Sequence, residues 1–167
     1  MENIDFTDGN FQSSKIKSYI KISFFIIAAI YLVFHYFIYW DPGENCYIKI
    51  KPAFMEFSNL DMKRALHTLK FASPEDYQAV CKNVSTIDPM IGCGGFGGGC
   101  YYTKKDAPQS SLGSEIMVST SKDDLVTTMA VIVHEACHAI QNKEGRPLSE
   151  TECYQADDML LREIIIF

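Results

Sequence analysis

The sequence predicts an α+β protein, with a single N-terminal transmembrane helix followed by one small domain in which a short strand pair precedes an antiparallel helix pair. Three observations carry this expectation. An uncharged apolar run, ISFFIIAAIYLVFHYFIYW, fills residues 22–40. Two segments rich in β-branched and aromatic residues, CYYTKK and EIMVST, flank a polar stretch containing Pro108, Ser110, Ser111 and Gly113. Immediately after them, apolar residues recur at spacings of three and four, the period of a helix with one buried face. A chain of 167 residues has room for one compact domain beside one membrane segment.

The apolar run comes first in the chain. As a helix rising about 1.5 Å per residue it spans the roughly 30 Å hydrocarbon core of a bilayer. A cleaved secretory signal is the competing reading, but such signals have a shorter apolar part followed by small residues. This run ends in Tyr36, Tyr39 and Trp40, which read as an interfacial belt. Lys15, Lys17 and Lys21 precede it, and Asp41 and Glu44 follow. The cationic bias gives a single-pass topology: residues 1–18 a cytoplasmic tail, 19–40 the transmembrane helix, and 41–167 extracytoplasmic, in a periplasm, a lumen or the extracellular space. His35 reads as a snorkelling residue.

Lys15, Lys17 and Lys21 balance Glu2, Asp5 and Asp8, so residues 41–167 carry the whole net charge of −6. Phosphate backbones are bound by concentrated basic patches, so no nucleic-acid partner is expected. All six cysteines, Cys46, Cys81, Cys93, Cys100, Cys137 and Cys153, fall in this same region. An even number on the outward side predicts disulfides in an oxidising compartment, with the pairing open.

Along the outer domain, CYIKIKPAF alternates like a short strand. Ser58 then caps a helix over 59–71, and Ser73-Pro74-Glu75-Asp76 opens a second helix that ends before Asp88-Pro89. His67 has no second ligand at helical spacing and reads as a surface residue. The glycine-rich IGCGGFGGGCYY lacks the GxxxxGK[ST] pattern of a phosphate loop. It reads either as a loop stapled by Cys93 and Cys100 or as the border of a cleft, where absent side chains let another backbone approach.

A third helix begins around Asp123 and Asp124, with Val126, Met129, Val133, Cys137 and Ile140 as its expected buried stripe. His134 and His138 lie only about 40° apart on a face of their own. Two imidazoles one turn apart can converge on one Zn2+ at about 2.0–2.1 Å, with Glu135 beside them.

This stretch, His134-Glu135-Ala136-Cys137-His138, resembles the HExxH helix of the zincin metallopeptidases. The metzincin extension fails, because Gln141 stands where glycine and Glu144 where histidine would be needed. The resemblance therefore points to the gluzincin-like branch, whose third ligand is a glutamate on a following helix, commonly in an ExxA-like pattern. The segment SETEC offers Glu150 or, alternatively, Glu152. Ser149 as N-cap gives Glu152 a capping-box role, whereas Glu150 lies closer to the apolar face of Cys153, Tyr154, Leu160, Leu161 and Ile164. Glu150 is favoured. The short link NKEGRPLS predicts antiparallel packing, with Gly145 ending the first helix and Asp157 near enough to accept the second ring N–H of His134. Cys137 and Cys153 face each other across the pair, as a disulfide or as packed thiols.

Two histidines and a glutamate leave a fourth zinc position open, the arrangement of a catalytic site. The expected activity is hydrolysis of peptide bonds by a zinc-activated water, with Glu135 as general base. The expected partner is a protein or peptide, cell-wall peptide among the candidates. Zincins commonly seat an extended substrate on a strand before the active helix, which implies residues 115–120 here. Tyr101 or Tyr102 is the expected oxyanion stabiliser. The alternative is a membrane-tethered, disulfide-stabilised binding or assembly protein with a non-catalytic zinc-site scaffold.

Overall fold

The computed structural model describes residues 8–53, 58–91, 95, 97–102, 114–120 and 124–165, with side chains described only between 18 and 162. It comprises two units, residues 1–36 and 37–167. The first is built on helix α1 (Asp8–Phe37). Its stretch Ser18–Phe37 has a mean hydropathy of 1.9, and is the one helix among the described residues long and apolar enough to cross a membrane.

The helix ends before the apolar run does. Ile38–Asp41 form strand β1, paired antiparallel with β2 (Cys46–Ile50) in the register Tyr39↔Ile48 and Trp40↔Tyr47. Tyr39 is buried and its hydroxyl donates to Tyr77, which in turn donates to Asp41 at 2.9 Å, while Lys70 Nζ meets the same Asp41 oxygen at 2.5 Å. Tyr39 is therefore a core residue of the second unit and not part of an aromatic belt. Hydropathy missed the break because a strand with one inward aromatic is as apolar as the helix it follows.

Helices α2 (Asn59–Ala72) and α3 (Pro74–Asn83) come next. Ser58 Oγ accepts from Asp61 N at 3.3 Å, and Pro74 opens α3 where a missing N–H is harmless. Together they form the crossover from β2 to the parallel strand β3 (Thr86–Asp88). The expected strand pair is present as β4 (Gly98–Tyr102) antiparallel to β5 (Glu115–Ser119). The sheet order is β1-β2-β3-β5-β4, so β4 is an edge strand and β5 is interior, paired with β3 on its other side. Residues 115–117 of β5, within the stretch expected to receive a substrate strand, are paired on both sides, which leaves the outer side of β4 as the open edge among the described residues.

One face of the sheet, with Ile48, Ile50, Ile87, Ile116 and Val118, packs with Met62, Leu66, Leu69, Val80, Met129, Ile132, Val133, Ala136 and Leu160 of the helices into a single core. Disulfide Cys46–Cys81 ties β2 to α3 across this core. Cys100 is also disulfide-bonded. Cys93, the segment 103–113, Asp123 and the side chain of Ile164, all used in reading the sequence, lie outside the described residues.

Candidate metal centre

The site is built on α4 (Leu125–Lys143) and α5 (Glu150–Ile165). Asp124 caps α4 by accepting from Thr127 N at 3.1 Å. Its expected stripe is only partly right. Met129 and Val133 are buried, but Val126 is 39% exposed, while Ile132, Ala136 and Ala139 face the core instead. Packed against the sheet on one side and α5 on the other, the helix buries most of its circumference. That surrounds His134, Glu135 and His138 with packed atoms and fixes their directions.

The chain leaves α4 through Gly145 at φ +69°, a left-handed angle that favours glycine. Gly145 N–H donates to Asn142 O and Arg146 N–H to Gln141 O, closing the last turn in the Schellman pattern. Four residues separate Gly145 from the start of α5. Its contacts with α4 descend in number as those of α4 ascend: Ser149 meets Gln141, Cys153 is disulfide-bonded to Cys137, and Asp157 meets His134. The capping box on Ser149 is only half present. Ser149 Oγ accepts from Glu152 N at 3.4 Å, but the Ser149 N–H goes to Gln141, and the Glu152 carboxylate is held by Arg146 in two bonds of 2.7 and 3.0 Å.

Glu150 is thus the acid that meets the histidines. Its Oε2 lies 3.1 Å from His134 Nε2 and its Oε1 3.3 Å from His138 Nε2. One ligand-type atom from each of His134, His138 and Glu150 lies within 4.8 Å of the others. The other ring nitrogens decide what these contacts mean. His134 Nδ1 is 3.0 Å from Asp157 Oδ2, and a carboxylate accepts, so Nδ1 donates and, in the neutral ring, Nε2 carries the lone pair. The Gln141 amide accepts from Ser149 N–H at 2.9 Å and donates to Ser149 O at 3.2 Å, which fixes which end is oxygen. That oxygen is 3.2 Å from His138 Nδ1, so Nδ1 donates there too. With both rings neutral, two imidazole lone pairs face two carboxylate oxygens, an arrangement that needs positive charge, from a bound cation or from ring protons donated to Glu150.

Glu135 sits beside this cluster and almost out of solvent. Burial pushes its carboxyl up to about 7, with the His134 ring working against the shift and Glu150 adding to it. Asp157 is also raised by burial, against the pull of His134.

A cleft of about 560 Å³ opens over the cluster, walled by Gly97, by Gly98 and Gly99 of the β4 edge, by Tyr101, and by Leu148 and Tyr154 opposite. The glycine-rich stretch thus borders a cleft. Tyr154, read from the sequence only as part of the apolar face of α5, is exposed, and its ring meets that of His134 edge-on at 4.7 Å; its place four residues after Glu150 on α5 was the available signal for a site role. Of the two tyrosines expected near the oxyanion, Tyr101 lines the cleft and its hydroxyl accepts from Asn142 Nδ2 at 2.8 Å. Tyr102 does not line it. No protein-family model, no curated protein and no solved structure matches this chain.

Proposed function

We propose that the chain is a membrane-anchored zinc metallopeptidase of gluzincin-like type, with His134, His138 and Glu150 as ligands and Glu135 as general base. The observation that carries this reading is the convergence of the two Nε2 atoms on the Glu150 carboxylate. A His2Glu set suits zinc, and it leaves a coordination position free for chemistry. When bound there, zinc supplies Lewis-acid activation of water and of a peptide carbonyl.

The chain's own residues do the rest. Glu135, adjacent to His134 in the cleft wall, takes a proton from the attacking water and delivers it to the leaving amine. Asp157 orients His134 through its Nδ1–H. The β4 edge offers backbone groups for an extended peptide, which would lie along the cleft as an added strand. Tyr101 at the cleft wall is placed to donate toward developing charge. A bilayer-spanning α1 and the disulfides support a domain held on the oxidising side of a membrane.

The test is metal content and cleavage together. The full chain, purified in detergent without chelators, is expected to hold one zinc and to cleave unstructured peptides. Glu135→Gln is expected to keep the zinc and lose the cleavage. A chain that holds no zinc, or a Glu135→Gln variant that cleaves as the parent does, overturns the reading.

A further inference from the structure

Gln141 is fully buried, and no step above uses it. A primary amide removed from water needs partners for its oxygen and its N–H groups, and here those partners sit on two different helices. On α5, the amide grips the main chain of Ser149 at both polar groups, N–H at 2.9 Å and C=O at 3.2 Å. On α4, the same oxygen stands 3.2 Å from His138 Nδ1. Ser149 is the residue before Glu150, so one side chain touches a candidate ligand and the main chain that carries another.

We infer that Gln141 is the positioning residue of the metal centre, holding His138 in the tautomer that presents Nε2 and locking the start of α5 so that Glu150 meets it. This rests on the metal-site reading above. The bottom-up reason is economy of donors. Ser149 N–H must donate and Ser149 C=O must accept, so the amide has one possible orientation. In that orientation only its oxygen faces the ring, and His138 can satisfy it only by carrying its proton on Nδ1. The alternative acceptor near Nδ1 is the Cys153 sulfur at 3.5 Å, already in a disulfide and a weak acceptor. The amide therefore couples the ring's tautomer to the position of the next helix.

The test uses the full chain in detergent and reads zinc affinity by competition against a fluorescent chelator, alongside the visible spectrum of the Co2+-loaded protein. Gln141→Met fills similar volume but offers neither acceptor nor donor. It is expected to weaken zinc by about 10–100-fold, the loss typical of an outer-shell partner, and to change the cobalt spectrum. Gln141→Glu keeps the acceptor for His138 and Ser149 N–H but loses the donor to Ser149 O, so its affinity is expected to fall between parent and Gln141→Met. A merely structural role would lower the melting temperature of both variants while leaving zinc affinity and the cobalt spectrum of the folded protein unchanged, and that result overturns the inference alone. If the parent binds no more zinc than His134→Ala does, the metal-site reading fails and takes this inference with it. Should Gln141→Met not fold, imidazole 15N shifts of the zinc-loaded parent decide the point. Nδ1 of His138 protonated and Nε2 metal-bound supports it, and the reverse overturns it.

Discussion

Gly99 of β4 lies so close against Glu135 of α4 that a Cβ built on it would stand 2.7 Å from the Glu135 Oε1 and 2.6 Å from Val131 Cγ1. The strand edge and the active helix can approach only because this position has no side chain. Gly99→Ala is therefore expected to cost about 1–3 kcal/mol in denaturant unfolding, the range of overpacking in a closed interior. Because the added methyl displaces Glu135 and not the histidines, peptide cleavage should fall further than zinc affinity. Equal losses in both would show that Glu135 is not held by this contact.

Glu135 also sets a pH dependence. Its folded value of about 7 lies above the 4.5 expected in the unfolded chain, so between these values the native state holds the proton that the unfolded state has released. Stability of the metal-free protein contributed by this group is then full below about pH 4.5 and is lost as pH rises through 7, by about 3 kcal/mol. Denaturant titrations of chelator-treated parent and Glu135→Gln at pH 5 and pH 8 check this. The difference between the two proteins should move by that order in favour of the variant at pH 8. No movement would mean that the carboxyl is hydrated.

The parts of the protein legible in sequence are those governed by local rules. The Ser58 cap, the Pro74 helix start, the Gly145 stop and the HExxH spacing each act within one or two turns, and each stands where expected. The parts that were missed depend on distant partners. β1 was hidden inside an apolar run, since nothing local tells that Tyr39 will hydrogen-bond to Tyr77. β3 is three residues long, too short for any period. That β4 and not β5 is the sheet edge follows from β3 inserting beside β5, a pairing across nearly thirty residues. At the site, the helical face of His134 and His138 was readable from spacing. Gln141 was passed over as a misplaced metzincin residue, because its second partner, Ser149, lies beyond a turn.

The choice between the two acids of SETEC can be settled by metal binding. Glu150 is 68% exposed in its side chain yet touches both ring nitrogens, whereas Glu152 is committed to Arg146. Glu150→Ala removes a proposed direct ligand and should weaken zinc by more than the roughly 10–100-fold lost with an outer-shell partner. Glu152→Ala breaks an exposed ion pair and should change stability by less than about 1 kcal/mol, with zinc affinity kept. The opposite pattern would transfer the ligand role to Glu152.

Two of the disulfides, Cys46–Cys81 and Cys137–Cys153, are expected to separate stability from metal binding. Cys46–Cys81 closes a sequence separation of 35 and Cys137–Cys153 one of 16. Constraint of the unfolded chain grows with loop length, so paired Cys→Ser substitutions should cost about 4 kcal/mol at the first and about 3 kcal/mol at the second. Zinc affinity should rank the other way. Cys137 adjoins His138, and Cys153 lies one helical turn beyond Glu150, so that bridge holds the proposed ligand helices together, while Cys46–Cys81 ties β2 to α3 away from the cleft. Measured on both paired variants, unfolding should be easier without Cys46–Cys81 and chelator competition stronger without Cys137–Cys153. If zinc affinity follows stability instead, the Cys137–Cys153 bridge braces the fold and does not position the metal ligands.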